Sequence, residues 1–106
     1  MPYTFDITRT QIMGILNVTP DSFYDGGTYA SPEAALARAL EMQAEGADIL
    51  DIGAQSTRPG STPISAEDEL NRLLPALEMI LRQVSIPVSV DTYHPETARQ
   101  ALACGA

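Results

Sequence analysis

The chain reads as an α/β protein built from repeated parallel βα units, and three features of the sequence predict this. Short apolar runs at residues 12–16, 49–52 and 88–90 are each followed by polar or glycine-rich residues, the pattern of buried strands. Stretches of helical periodicity lie between them. The ends of the runs recur roughly every 37 residues, the length of one strand, loop, helix and turn, which favours a parallel sheet of right-handed crossovers.

The first helix is predicted over residues 32–45. Ala35, Leu36, Ala39, Leu40 and Met42 recur at helical spacing, Ser31 stands as an N-cap, Pro32 occupies the first helical position and Gly46 ends the helix. The second is predicted over residues 66–84, with Leu70, Leu73, Leu74, Leu77, Ile80 and Leu81 as its apolar face. Ser65 followed by Asp68 resembles a capping box. Pro75 falls inside this pattern, where it should bend the helix or delay its start, and Pro87 marks the approach to the third strand. The third helix opens at Pro95 and carries Ala98, Ala101 and Leu102.

An open doubly wound sheet and a closed barrel both use such units. No strand is followed by G-x-G-x-x-G, and the polar residues collect in long segments after the strands, at 17–30 and 53–65, as they do at the C-terminal face of a (βα)8 barrel, the TIM barrel. Such a barrel needs eight strands and about 250 residues. The 106 residues are therefore expected to supply its first three units within a single domain, residues 1–106, truncated before strand 4. Ala103-Cys104-Gly105-Ala106 repeats the Glu45-Gly46-Ala47 lead-in to the second strand.

With 14 acidic residues against 6 arginines and no lysine, the net charge of -8 argues against nucleic acid or an anionic membrane as a partner. An anionic substrate would have to be met locally, by an arginine, a metal ion or backbone amides. The lone Cys104 cannot form an internal disulfide and is expected at a core or helix-end position; no leader pattern is evident, so a cytoplasmic setting is the expectation.

The loops hold the candidate chemistry. Asn17 ends the first apolar run, where its amide oxygen could bind a hard cation or a hydroxyl, and Asp21, Phe23, Tyr24 and Asp25 follow with Gly26 and Gly27. The same residues also suit strand termination and turns. The second loop sets Ser56, Thr57, Arg58 and Pro59 one repeat further on, a hydroxyl and guanidinium group able to hold an anion. Asp91 ends the third run and would bind a donor-rich ligand, cap the third helix or pair with an arginine. His94, beside Pro95, reads as a surface residue at a helix start.

Taken in order, Met13-Gly14-Ile15-Leu16-Asn17-Val18-Thr19-Pro20-Asp21-Ser22-Phe23, then Asp51-Ile52-Gly53-Ala54-Gln55-Ser56-Thr57-Arg58-Pro59-Gly60, then Ser89-Val90-Asp91-Thr92, resemble the dihydropteroate synthase family, and the likeness spans nearly the whole chain. The resemblance implies a pterin-binding (βα)8 barrel that condenses 6-hydroxymethyl-7,8-dihydropterin diphosphate with 4-aminobenzoate, with Mg2+ as cofactor and Asn17 as its contact. It further implies Thr57 at the diphosphate-bearing substrate, Asp91 at the pterin ring, and Ser56, Arg58, Pro59 and Phe23 around the substrates, with Asp91 and Asn17 as the catalytic pair. Family members are sulfonamide targets and often homodimers, with small molecules as their binding partners.

Two positions depart from the family pattern: Gln55 where many members have Glu, and Tyr24 where many have Ser. The Gln keeps an acceptor and removes a charge. Other readings consistent with the residues are a non-catalytic pterin-barrel fragment and a corrinoid-linked pterin methyltransferase, although the latter would not be expected to carry Ser-Thr-Arg-Pro. The isolated chain is expected to be inactive.

Overall fold

The structure, a computed structural model, describes residues 8–18, 31–54 and 65–106. Strands and helices alternate along it: β1 (Met13–Asn17), α1 (Pro32–Ala44), β2 (Ile49–Gly53), α2 (Ala66–Gln83), β3 (Val88–Asp91) and α3 (Pro95–Cys104). The strands form one parallel sheet in the order β1-β2-β3. Each pairing joins sequence neighbours through a helix, as the repeat predicts.

Each strand reaches one residue beyond its apolar run, because ladder pairing depends on the backbone and ignores the polarity of Asn17, Gly53 and Asp91. The ladder continues past β1, where the Val18 N–H donates to the Gly53 carbonyl at 2.8 Å.

Alternation along the strands sorts the side chains onto two faces. Leu16, Val18, Leu50, Ile52, Ala54 and Val88 pack beneath the helices, against Ala35 and Ala39 of α1, Leu73, Ala76, Leu77 and Ile80 of α2 and Ala101 of α3. Alanine on α1 lets that helix lie close to the sheet. The approach is close at Gly14, where a Cβ would stand 2.8 Å from Met42 Sδ and 3.3 Å from Leu50 Cδ2.

The opposite face is open in the described residues, and here the expectation of strands buried throughout needs correction. Ile15 is 66% exposed and Met13 49%, because no described element packs on this side of the sheet. In a closed (βα)8 barrel the same side faces the interior.

The helix ends follow the sequence signals. Ser31 Oγ accepts from the Ala34 N–H and Ser65 Oγ from the Asp68 N–H, both at 3.1 Å. α1 and α3 end in the same turn: Ala47 N–H donates to the Met42 carbonyl and Gly46 N–H to that of Gln43, and Ala106 and Gly105 do likewise to Ala101 and Leu102. Gly46 and Gly105 take the left-handed φ values, 109° and 114°, that this turn needs.

α2 starts at Ala66 and runs through Pro75 without interruption, so the start is not delayed. Pro75 and Asn71, whose carbonyl loses its partner, both lie on the solvent side, so water can satisfy the freed oxygen. Cys104 ends α3 and is exposed, a helix-end position and not a core one. No helix among the described residues is long and apolar enough to cross a membrane.

Ahead of β1, Arg9 clasps Asp48 with Nη2 at 2.7 Å from Oδ1 and Nη1 at 3.3 Å from Oδ2. The Ile12 N–H donates to the same carboxylate at 2.8 Å, tying the approach to β1 onto the start of β2. On the far side of the chain, Gln43 Oε1 accepts from the Ser85 N–H at 2.7 Å and joins α1 to the turn before β3.

Candidate functional site

The strand register places one residue from each strand in a row across the C-terminal end of the sheet. Asn17 pairs with Gly53, and Gly53 with Asp91. All three lie on the open face, and two strand spacings put the outer pair about 10 Å apart. The absence of a side chain at Gly53 makes the row a recess: a Cβ there would lie 3.6 Å from Asn17 Oδ1 and 3.7 Å from both Asp91 Cβ and the Asp91 carbonyl oxygen. Asn17 therefore leans over Gly53 from one side while Asp91 borders it from the other.

Neither polar side chain has a hydrogen-bonding or ionic partner among the described residues. For Asp91 this bears on two local explanations, and only the helix cap is excluded outright. The N-cap of α3 is His94, and no described arginine pairs with Asp91. The carboxylate is exposed, so solvent satisfies it.

One layer deeper, Ile15, Asp51 and Ser89 stand in register. Ser89 Oγ donates to Asp51 Oδ1 at 2.6 Å, so a second carboxylate points to the open face and spends one acceptor on its neighbour. Sequence analysis did not single this pair out, although a lone Asp inside an apolar strand was a signal. The described part of the face thus holds two carboxylates, one amide and one hydroxyl, a set suited to a neutral, donor-rich heterocycle.

His94 has no side-chain cap bond to α3, and its ring lies 4.5 Å from that of Tyr93, in keeping with a structural position at the helix start. Phe23, Ser56, Thr57, Arg58 and Pro59, together with Asp21, Tyr24, Asp25 and Gln55, lie outside the described residues.

For a cation, the donor that the family resemblance implies is the neutral amide oxygen of Asn17. Among the described residues no group of three or more His, Cys, Asp and Glu side chains could hold a metal. A single hard oxygen fits Mg2+ better than it fits zinc, since Mg2+ keeps several waters and is commonly bound by one or two protein oxygens together with substrate phosphates.

A parallel βα sheet with its unengaged polar side chains aligned at the C-terminal strand ends defines the chain as part of a ligand-binding barrel of the (βα)8 class. The family model described as "pterin binding enzyme" matches residues 13–106, and the chain belongs to that family.

Dihydropteroate synthases recur among the relatives, and two relatives are bifunctional proteins. The chain is 52% identical over 100 residues to a dihydropteroate synthase of Staphylococcus haemolyticus, a match covering 94% of this chain and 37% of the relative. Among solved structures it resembles the Xanthomonas albilineans dihydropteroate synthase with 4-aminobenzoic acid, at 54% identity and a TM-score of 0.82, over 92% of this chain and 36% of the other. It also resembles the Yersinia pestis dihydropteroate synthase in a sulfonamide drug complex, at 42% identity and a TM-score of 0.90, over 98% and 38%. The chain spans a little over a third of the length of these relatives.

Proposed function

We propose that this chain forms the first three βα units of a dihydropteroate synthase, a single pterin-binding barrel domain that joins 6-hydroxymethyl-7,8-dihydropterin diphosphate to 4-aminobenzoate. The observation that carries the reading is the row Asn17, Gly53, Asp91, two polar side chains without a partner among the described residues, flanking a recess at the strand ends. The family match and the relatives' names support it.

In the proposed reaction the arylamine nitrogen attacks the exocyclic methylene of the pterin. A C–N bond forms, the C–O bond to diphosphate breaks with its electron pair leaving on the diphosphate, and the nitrogen gives up a proton. Asp91 accepts hydrogen bonds from the N–H groups of the ring and stabilises the positive charge that develops as diphosphate departs. Asn17, at the other end of the recess, would hold Mg2+ through its amide oxygen, and a bound metal would supply positive charge to offset that of the leaving diphosphate.

Thr57 would contact the diphosphate-bearing substrate, Arg58, Pro59 and Phe23 the aminobenzoate, and Ser56 would be a further substrate contact. Positioning the weakly basic amine is the main demand on them. A cytoplasmic setting, a homodimer and sulfonamide binding at the aminobenzoate position belong to the same proposal.

The test is a coupled assay of diphosphate release by the product of the native gene. The proposal requires release only when the pterin diphosphate, 4-aminobenzoate and Mg2+ are all present, with dihydropteroate as the product. The 106-residue chain by itself is expected not to turn over. Turnover by this chain alone would refute that part, and a native gene product binding neither substrate would refute the whole.

A further inference from the structure

We propose that Glu69 is a positioning residue, which through Thr92 sets the direction in which β3 presents Asp91. This rests on the reading of Asp91 as the pterin-ring ligand.

Glu69 lies in the first turn of α2 and is fully buried, in a helix–sheet interface lined mainly by Leu, Ile, Val and Ala, with Thr97 of α3 the other fully buried polar side chain among the described residues. An aliphatic side chain would fill that place without the cost of desolvating a carboxyl group. The carboxyl group has one described partner: Thr92 Oγ1 donates to Glu69 Oε1 at 2.6 Å. Oε2 is buried with no partner. For stability alone this is a poor arrangement, since a half-satisfied polar group inside an apolar layer is worse than none.

Its value lies in what it grips. Thr92 follows Asp91 directly, and its hydroxyl also accepts from the His94 N–H at 3.1 Å. The single hydroxyl proton goes to Glu69 and a lone pair takes the amide, so the relay from His94 through Thr92 to Glu69 has only one polarity. β3 pairs with β2 alone among the described strands, which leaves this relay as the fixture on the other end of Asp91. It fastens the three residues between β3 and α3 to the neighbouring helix.

The test uses the full native gene product and reads each substrate separately. Thr92→Val keeps the shape of the side chain and removes the donor, and Glu69→Leu removes the acceptor. Each should weaken binding of the pterin diphosphate about tenfold while the KM for 4-aminobenzoate stays within about twofold. Thr92→Ser and Glu69→Gln keep the hydroxyl and an acceptor oxygen, and should restore pterin binding to within about twofold of the parent.

Should Glu69→Leu fail to fold, Thr92→Val against Thr92→Ser decides. Equal losses for both substrates, or no rescue by Ser, would make the pair merely structural and overturn the inference. Asp91→Asn separates the two levels. If it abolishes pterin binding while Thr92→Val leaves binding intact, the inference fails and the reading of Asp91 stands; if it leaves pterin binding unchanged, that reading fails and takes the inference with it.

Discussion

Replacing Gly53 with alanine should separate the fold from the site. The added Cβ would meet its nearest neighbours, Asn17 Oδ1, Asp91 Cβ and the Asp91 carbonyl oxygen, at 3.6 to 3.7 Å, ordinary van der Waals contact requiring no rearrangement. Alanine also costs less backbone entropy than glycine, so folding should be unchanged or favoured by about 0.5–1 kcal/mol. The same methyl group fills the recess between the two polar side chains. A ligand seated there would meet an overpacked site, at a cost of about 1–3 kcal/mol, which weakens binding roughly five- to 150-fold. Thermal unfolding and calorimetric titration with the pterin diphosphate, both on the native gene product, measure the two halves. Unchanged affinity in a well-folded Gly53→Ala protein would refute the recess as the binding position.

Three further outcomes follow from the same geometry. Asn17→Ala should leave pterin-ring binding largely intact but reduce the Mg2+-dependent gain in affinity for the diphosphate form about tenfold or more, read by titrations with and without the metal. Gly14→Ala drives its Cβ toward Met42 Sδ and Leu50 Cδ2 and should destabilise by about 1–3 kcal/mol; because the thioether is the flexible partner, a denaturant-midpoint double-mutant cycle with Met42→Ala should recover part of the loss. Asp48 is held below the ordinary aspartate range by the hydrogen bonds from Arg9 first and the Ile12 N–H second. A carboxylate depressed by folding adds stability that is in place above its unfolded pKa, about 4, and is lost as pH falls through the lower folded value, so Asp48→Asn should be less stable than the parent at neutral pH, with the gap closing below about pH 4.

Much of this architecture was readable from residue patterns. Ser31, Ser65, Gly46 and the apolar spacing of α1 and α2 located the helices because capping and amphipathic burial are local rules. Asn17 and Asp91 were legible as the first polar residues after apolar runs. Pro75 misled because a proline is disruptive only where the lost hydrogen bond cannot be replaced, and its exposure is a property of the packed helix. Ile15 misled for a related reason, since which face of a strand is covered depends on elements elsewhere.

Gly53 and Glu69 show where local reading stops. As sequence, Gly53 is the start of a loop; as structure, it is the gap between Asn17 and Asp91, and only the pairing register reveals this. Glu69 stands among Glu67 and Asp68 in a first turn where acidic residues are ordinary companions of the helix dipole. Yet it lies four residues before Leu73 and eleven before Ile80, on the buried stripe, so its period carried the information that its company concealed.

The chemistry of the row also suggests why its two ends differ. A chain with a net charge of -8, presenting Asp91 and Asp51 on one face, repels a diphosphate unless a cation intervenes. On the proposed reading, a neutral amide at position 17 holds that cation without cancelling its charge, leaving the positive field directed at the leaving group, whereas an aspartate there would neutralise part of it. At the other end the demand is reversed. Only a charged carboxylate both accepts from ring N–H groups and answers the positive charge that grows on the pterin, so Asn17 and Asp91, close in size and opposite in electrostatic effect, are suited to the two ends they occupy.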